Sequence, residues 1–124
     1  MALGLGVDII TLSRMKDVLE TSGAVFLNKV FTPWEQVRSR THPDPVAYFA
    51  ATFAAKEAIF KTFGTGWDEG VAFTEIEIKD GPHGEPLAAL SGKFAELAAR
   101  RGVSRVFVSL SFDGDYAIGI AMLT

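Results

Sequence analysis

The feature that most limits this chain is its longest helical pattern, which runs from Val46 to Phe63 with Gly64 placed to end it. On a wheel of about 100° per residue, Phe49, Phe53, Phe60 and Phe63 form one stripe with Lys56 inside it. Glu57 lies on the edge of the stripe. Lys61 lies one turn further along that edge, beside Ala50 and Ala54, whose small side chains leave room for another molecule. A chain of 124 residues with 48% apolar composition can build one core around such a helix. A domain this small leaves apolar area uncovered, and ten Phe residues place some of it at a subunit interface, so an oligomer is expected.

The remaining pattern is mixed. Leu3 to Ile10 is apolar and β-branched, broken by Gly4, Gly6 and Asp8, and predicts a first strand. Leu12 to about Ser22 turns helical, with Gly23 as its stop, and Arg14 falls on the polar side. Thr32-Pro33-Trp34-Glu35 combines an N-cap threonine, proline at the first helical position and glutamate three residues after the cap. From Ala72 the period becomes two, with Ala72, Thr74, Ile76 and Ile78 on one face of a predicted strand and Phe73 out of phase. A turn at residues 80–84 leads to a return strand from Pro86 to Leu90. Ser91 opens a helix that Gly102 ends, and two last strands flank Asp113-Gly114 as a hairpin. With no repeat or linker, residues 1–124 read as one α+β domain, a mostly antiparallel sheet packed against a long helix.

Charge and composition exclude several functions. A net charge of -3 and a pI near 5.3 argue against a nucleic-acid binder. Absence of cysteine removes disulfides, thiolate catalysis and cysteine zinc sites. No run reaches the roughly 18 apolar residues of a membrane span, and no basic segment precedes an apolar signal core, so a soluble cytoplasmic protein is expected. His42 and His83 read as solvated loop residues, and Ser109 and Ser111 have no histidine partner for a triad.

Taken singly, Glu57 and Lys61 read as an ordinary i,i+4 ion pair, Lys56 as a lysine snorkelling past rings, and Asp8 as a cap. Taken together they fit a second pattern. Magnesium takes one or two protein carboxylates and completes its octahedron with waters and phosphate oxygens, and a nearby lysine supplies the point charge that a diphosphate needs as its bond breaks.

Gly6-Val7-Asp8-Ile9, then Phe53-Ala54-Ala55-Lys56-Glu57-Ala58 with Lys61 and Gly64-Thr65-Gly66, resembles the holo-[acyl-carrier-protein] synthases of the 4′-phosphopantetheinyl transferase superfamily. Thr32-Pro33, Gly84-Glu85-Pro86 and Val108-Ser109-Leu110-Ser111 extend the likeness over nearly the whole chain. The resemblance implies transfer of 4′-phosphopantetheine from coenzyme A to a serine of acyl carrier protein, with Asp8 and Glu57 as magnesium ligands and Glu57 as base. It places Lys61 at the phosphates and implies Gly64, Gly84, Pro86 and Ser109 as further substrate-binding positions. It also implies a homotrimer with sites between subunits. Carrier proteins of this kind are acidic, and Arg14 is the expected docking residue.

Two positions depart from the family pattern. Ser111-Phe112-Asp113 stands where the family usually has histidine at the middle position, near the bound coenzyme A, and Glu85 stands where lysine is frequent. Competing readings are a transferase acting on peptidyl or polyketide carrier domains, a carrier-binding module without catalysis, and an interaction domain unrelated to the family.

Overall fold

A computed structural model describes residues 2–64 and 70–124. Strand β1 (Gly4–Thr11) passes directly into helix α1 (Leu12–Val30), followed by α2 (Pro33–Ser39) and α3 (Pro45–Phe63). A single 3-10 turn, Phe73–Glu75, leads to β2 (Ile76–Asp80), β3 (Pro86–Leu90), α4 (Gly92–Arg100), β4 (Val106–Asp113) and β5 (Tyr116–Leu123). The strands form a three-stranded antiparallel sheet in the order β1-β5-β4 and a separate β2-β3 hairpin. No helix among the described residues is long and apolar enough to cross a membrane.

Helix α3 is the axis of the molecule, and its two faces meet different partners. Toward the sheet it presents alanines, and the sheet answers with glycines. A Cβ at Gly6 would collide with the Ala58 carbonyl oxygen, and one at Gly119 with the backbone of Ala54 and Ala55. Helix and sheet therefore touch backbone to backbone, closer than any larger side chain allows. The glycines that look like interruptions of β1 in the sequence are the reason the helix can lie on it.

The opposite face carries the aromatic stripe as expected. Phe49 packs on Phe31 with ring centroids 4.7 Å apart, Phe60 on Phe73 at 4.8 Å and Phe63 on Phe94 at 4.9 Å. Lys56 does not snorkel. It is fully buried, and its Nζ donates to Glu35 Oε1 and the Val30 carbonyl, both at 2.6 Å, and to the Phe73 carbonyl at 3.2 Å. Glu35 completes the expected capping box by accepting from the Thr32 N–H at 2.9 Å, and its other oxygen accepts from the Ile78 N–H at 2.8 Å. Burial pushes the Lys56 ammonium below the usual lysine range, and Glu35 opposes that shift. One ion pair thus joins α1, α2, α3, the 3-10 turn and β2.

Three boundaries differ from the sequence reading. Gly23 (φ 48°) kinks α1 instead of ending it, because apolar residues from Val25 onward let the helix resume. Residues 73–75 form a 3-10 turn, which accounts for the out-of-phase Phe73, so the strand begins only at Ile76. Asp113 is still paired with Tyr116, which makes the hairpin loop Gly114-Asp115. The Asp115 carboxylate then accepts from the Ser13 N–H at 3.0 Å and the Ser13 hydroxyl at 2.9 Å, tying the hairpin to the start of α1.

Candidate active site

β1 is an edge strand, and its register places Gly4, Gly6, Asp8 and Ile10 on the face toward α3. Because Gly6 admits the helix so closely, Asp8 comes alongside the flank of α3 that carries Glu57 and Lys61. Lys61 Nζ lies 2.9 Å from Asp8 Oδ1 and 3.1 Å from the Val7 carbonyl oxygen. The lysine is half exposed, whereas only 17% of the Asp8 side chain is. No Glu57–Lys61 ion pair closes among the described residues; the lysine turns to the strand instead. Glu57 is partly buried, and desolvation pushes its carboxyl above the ordinary carboxylate range. The charge of Asp8 adds to that rise and Lys61 opposes it. Two carboxylates and one lysine therefore share one margin of the helix, with negative charge in excess.

Among the described residues no three or more metal-ligating side chains gather, so the acidic feature is a pair and not a cage. Gly64 caps α3 in the left-handed conformation (φ 62°), one turn beyond Lys61, and its N–H donates to the Lys61 carbonyl at 3.1 Å. Thr65, Gly66 and Trp67 lie outside the described residues. Arg14 is exposed in the first turn of α1, which starts where β1 ends.

Gly84 and Pro86 are found elsewhere, in the wall of a pocket of about 260 Å³ that also takes in Arg38, His42, Tyr48 and Phe112. It is bounded by the end of α2, the start of α3, the β2-β3 turn and the end of β4. Ser111 belongs to this wall. Ser109 does not; it sits on the open face of the sheet opposite Ile120. Glu85 folds over its own turn, accepting from the His83 N–H at 2.9 Å. A larger hollow of about 420 Å³ between β3, α4 and β4 is mostly aliphatic and holds none of the expected site residues.

The sequence reading missed His42, Tyr48 and Arg38 as pocket residues. His42 is half-buried, with its ring centroid 5.7 Å from Tyr48 and 6.2 Å from Phe112. No local pattern marks it, because its neighbours come from other elements. Tyr48 and Glu57 are nine residues apart, which is about 13 Å along a helix axis and half a turn around it. Within one chain the pocket and the carboxylate pair are therefore two separate places.

Residues 4–121 match the 4′-phosphopantetheinyl transferase superfamily. A holo-[acyl-carrier-protein] synthase of Desulforudis audaxviator is 43% identical over 98% of this chain and 92% of its own length. The crystal structure of the Neisseria meningitidis holo-[acyl-carrier-protein] synthase superposes with a TM-score of 0.92 at 31% identity, covering 100% of this chain and 99% of that one. The Helicobacter pylori holo-[acyl-carrier-protein] synthase in complex with coenzyme A gives 0.82 at 26% identity, over 97% and 99% of the two chains. Identity at this level over the full length, on one shared fold, establishes that the chain belongs to the 4′-phosphopantetheinyl transferase superfamily and, within it, to the holo-[acyl-carrier-protein] synthases.

Proposed function

We propose that this protein transfers 4′-phosphopantetheine from coenzyme A to a serine hydroxyl of apo-acyl carrier protein, leaving adenosine 3′,5′-bisphosphate. The observation that carries this reading is the Asp8–Lys61 ion pair beside a partly buried Glu57 whose carboxyl holds its proton more tightly than usual. The relatives of the same name, and the Helicobacter pylori structure with coenzyme A bound, support the substrate pair.

The donor set fits magnesium. Asp8 and Glu57 are hard oxygen ligands on adjoining elements, and their excess negative charge suits a divalent cation that takes the rest of its coordination from water and phosphate. When bound, the metal supplies charge neutralisation to the diphosphate. Lys61 adds a mobile positive charge at the phosphates. Glu57 accepts the proton of the attacking serine, directly or through a water, and its raised affinity for a proton favours that role. The serine oxygen forms the new bond to phosphorus as the bond to the nucleotide phosphate breaks. Arg14, exposed in the first turn of α1, is the residue we assign to docking an acidic carrier.

One chain does not complete this site, since the pocket of Gly84 and Pro86 is separate from the carboxylates. We place the complete site between subunits of a homotrimer. The support is the open face of the sheet, where Leu5 is 73%, Val7 53% and Ile9 62% exposed, continued across β5 and β4 by Ile120 and Phe107. A cysteine-free chain needs no oxidising compartment, and we place the reaction in the cytoplasm. The test is intact-mass analysis of apo-acyl carrier protein incubated with the protein, coenzyme A and magnesium. A gain matching phosphopantetheine is expected; folded protein that yields none overturns the proposal.

A further inference from the structure

We infer that His42 is a substrate-binding residue of this chain, donating from its Nε2–H to the nucleotide end of coenzyme A in the pocket it shares with Tyr48 and Phe112. This rests on the proposed transfer reaction and concerns a residue that the family pattern does not single out.

Four observations converge on it. First, the imidazole is held in place. Its Nδ1 accepts from the Asp44 N–H at 3.0 Å, and its ring is packed between Tyr48 and Phe112. With Nδ1 committed as acceptor, a neutral histidine carries its proton on Nε2, and that N–H has no partner among the described residues. Second, the Tyr48 phenol stands at the same pocket with the Thr52 side chain beside it, and burial keeps it protonated.

Third, the remaining chemistry of the pocket suits a flat, acceptor-rich ring. Phe112 and Pro86 offer apolar surface to a base. Arg38 and Asp80 both line the pocket and pair with each other at 2.7 Å, so their charges balance, and Arg38 Nη1 also bonds the Thr41 hydroxyl at 2.9 Å. Fourth, Phe112 itself can donate nothing, while across from it the loop before α3 places the His42 imidazole. The rings of His42 and Phe112 are close enough that an imidazole at either position would reach the same space.

The experiment measures transfer kinetics and, separately, calorimetric binding of adenosine 3′,5′-bisphosphate. His42→Ala should raise KM for coenzyme A and weaken bisphosphate binding by about tenfold, the loss of one hydrogen bond to a charged or strongly polar ligand. It should leave kcat, KM for the carrier and the binding of 4′-phosphopantetheine alone within about twofold. His42→Gln, which keeps an amide donor, should lose less. Adding Phe112→His to His42→Ala should restore most of the lost affinity, a rescue that a merely structural role would not give. Unchanged bisphosphate binding in His42→Ala, an effect on kcat alone, or no rescue by Phe112→His overturns the inference. Wild-type protein that transfers nothing overturns the reaction itself, which keeps the two failures apart.

Discussion

Asp8, Glu57 and Lys61 make opposite demands on one another, and those demands are measurable. On the proposed mechanism Glu57→Gln removes the proton acceptor, and it should lower kcat by about 10²–10⁴-fold in the transfer assay. Its effect on stability should have the other sign. A carboxyl whose folded-state pKa is raised binds its proton more tightly in the folded protein, so stability is lost as pH rises from the unfolded value through the folded one. Glu57→Gln should therefore raise the melting temperature near neutral pH in the absence of magnesium. The gain should vanish in acid, below the ordinary carboxylate pKa; a gain that persists there contradicts the assignment. Lys61→Ala also divides two readouts. The ammonium occupies an Asp8 oxygen, and an ion pair this exposed is worth at most about 1 kcal/mol. Calorimetry should thus find up to about fivefold tighter magnesium binding in the variant, while transfer slows.

At the scale of elements, the buried Glu35–Lys56 pair is the part of the framework most easily broken. Lys56→Met leaves Glu35 charged in the core with only two backbone N–H donors, and should cost about 3–5 kcal/mol in urea unfolding. A loss below about 1 kcal/mol would mean that Glu35 reaches water. This pair also marks the limit of what the sequence discloses. The capping box at Thr32, the aromatic stripe of α3, the cap at Gly64 and the β4-β5 hairpin are local patterns, and each is present in the structure. Nothing local announces that Glu35, already explained as a cap, also meets a lysine 21 residues away. Gly23 misleads for a related reason, because the residues beyond it decide whether a positive φ ends a helix or only bends it. The carboxylates were legible as a pattern of residue types. The pocket was not, because His42 and Tyr48, Gly84, and Phe112 come from three separate segments.

For the whole molecule the open sheet face sets the main expectation. A row of Leu5, Val7 and Ile9 beside Ile120 is a continuous apolar surface of the kind that association covers. Ile120→Glu should give a folded monomer in sedimentation equilibrium and should abolish transfer with Asp8, Glu57 and Lys61 intact, because the pocket and the carboxylates would no longer come from facing subunits. A fully active monomer would instead require both parts of the site to act within one chain.

The glycine contact between α3 and the sheet has a consequence for how this protein can change over time. Main-chain atoms have the same dimensions in every sequence, so the approach of the Asp8 strand to the Glu57 helix rests on a hard stop that no side chain adjusts. The aromatic side of α3 has no such stop, and substitutions there can trade volume for stability by degrees. Mutational drift can therefore erode or restore stability on the aromatic face of the helix while the approach of β1 to α3 stays calibrated.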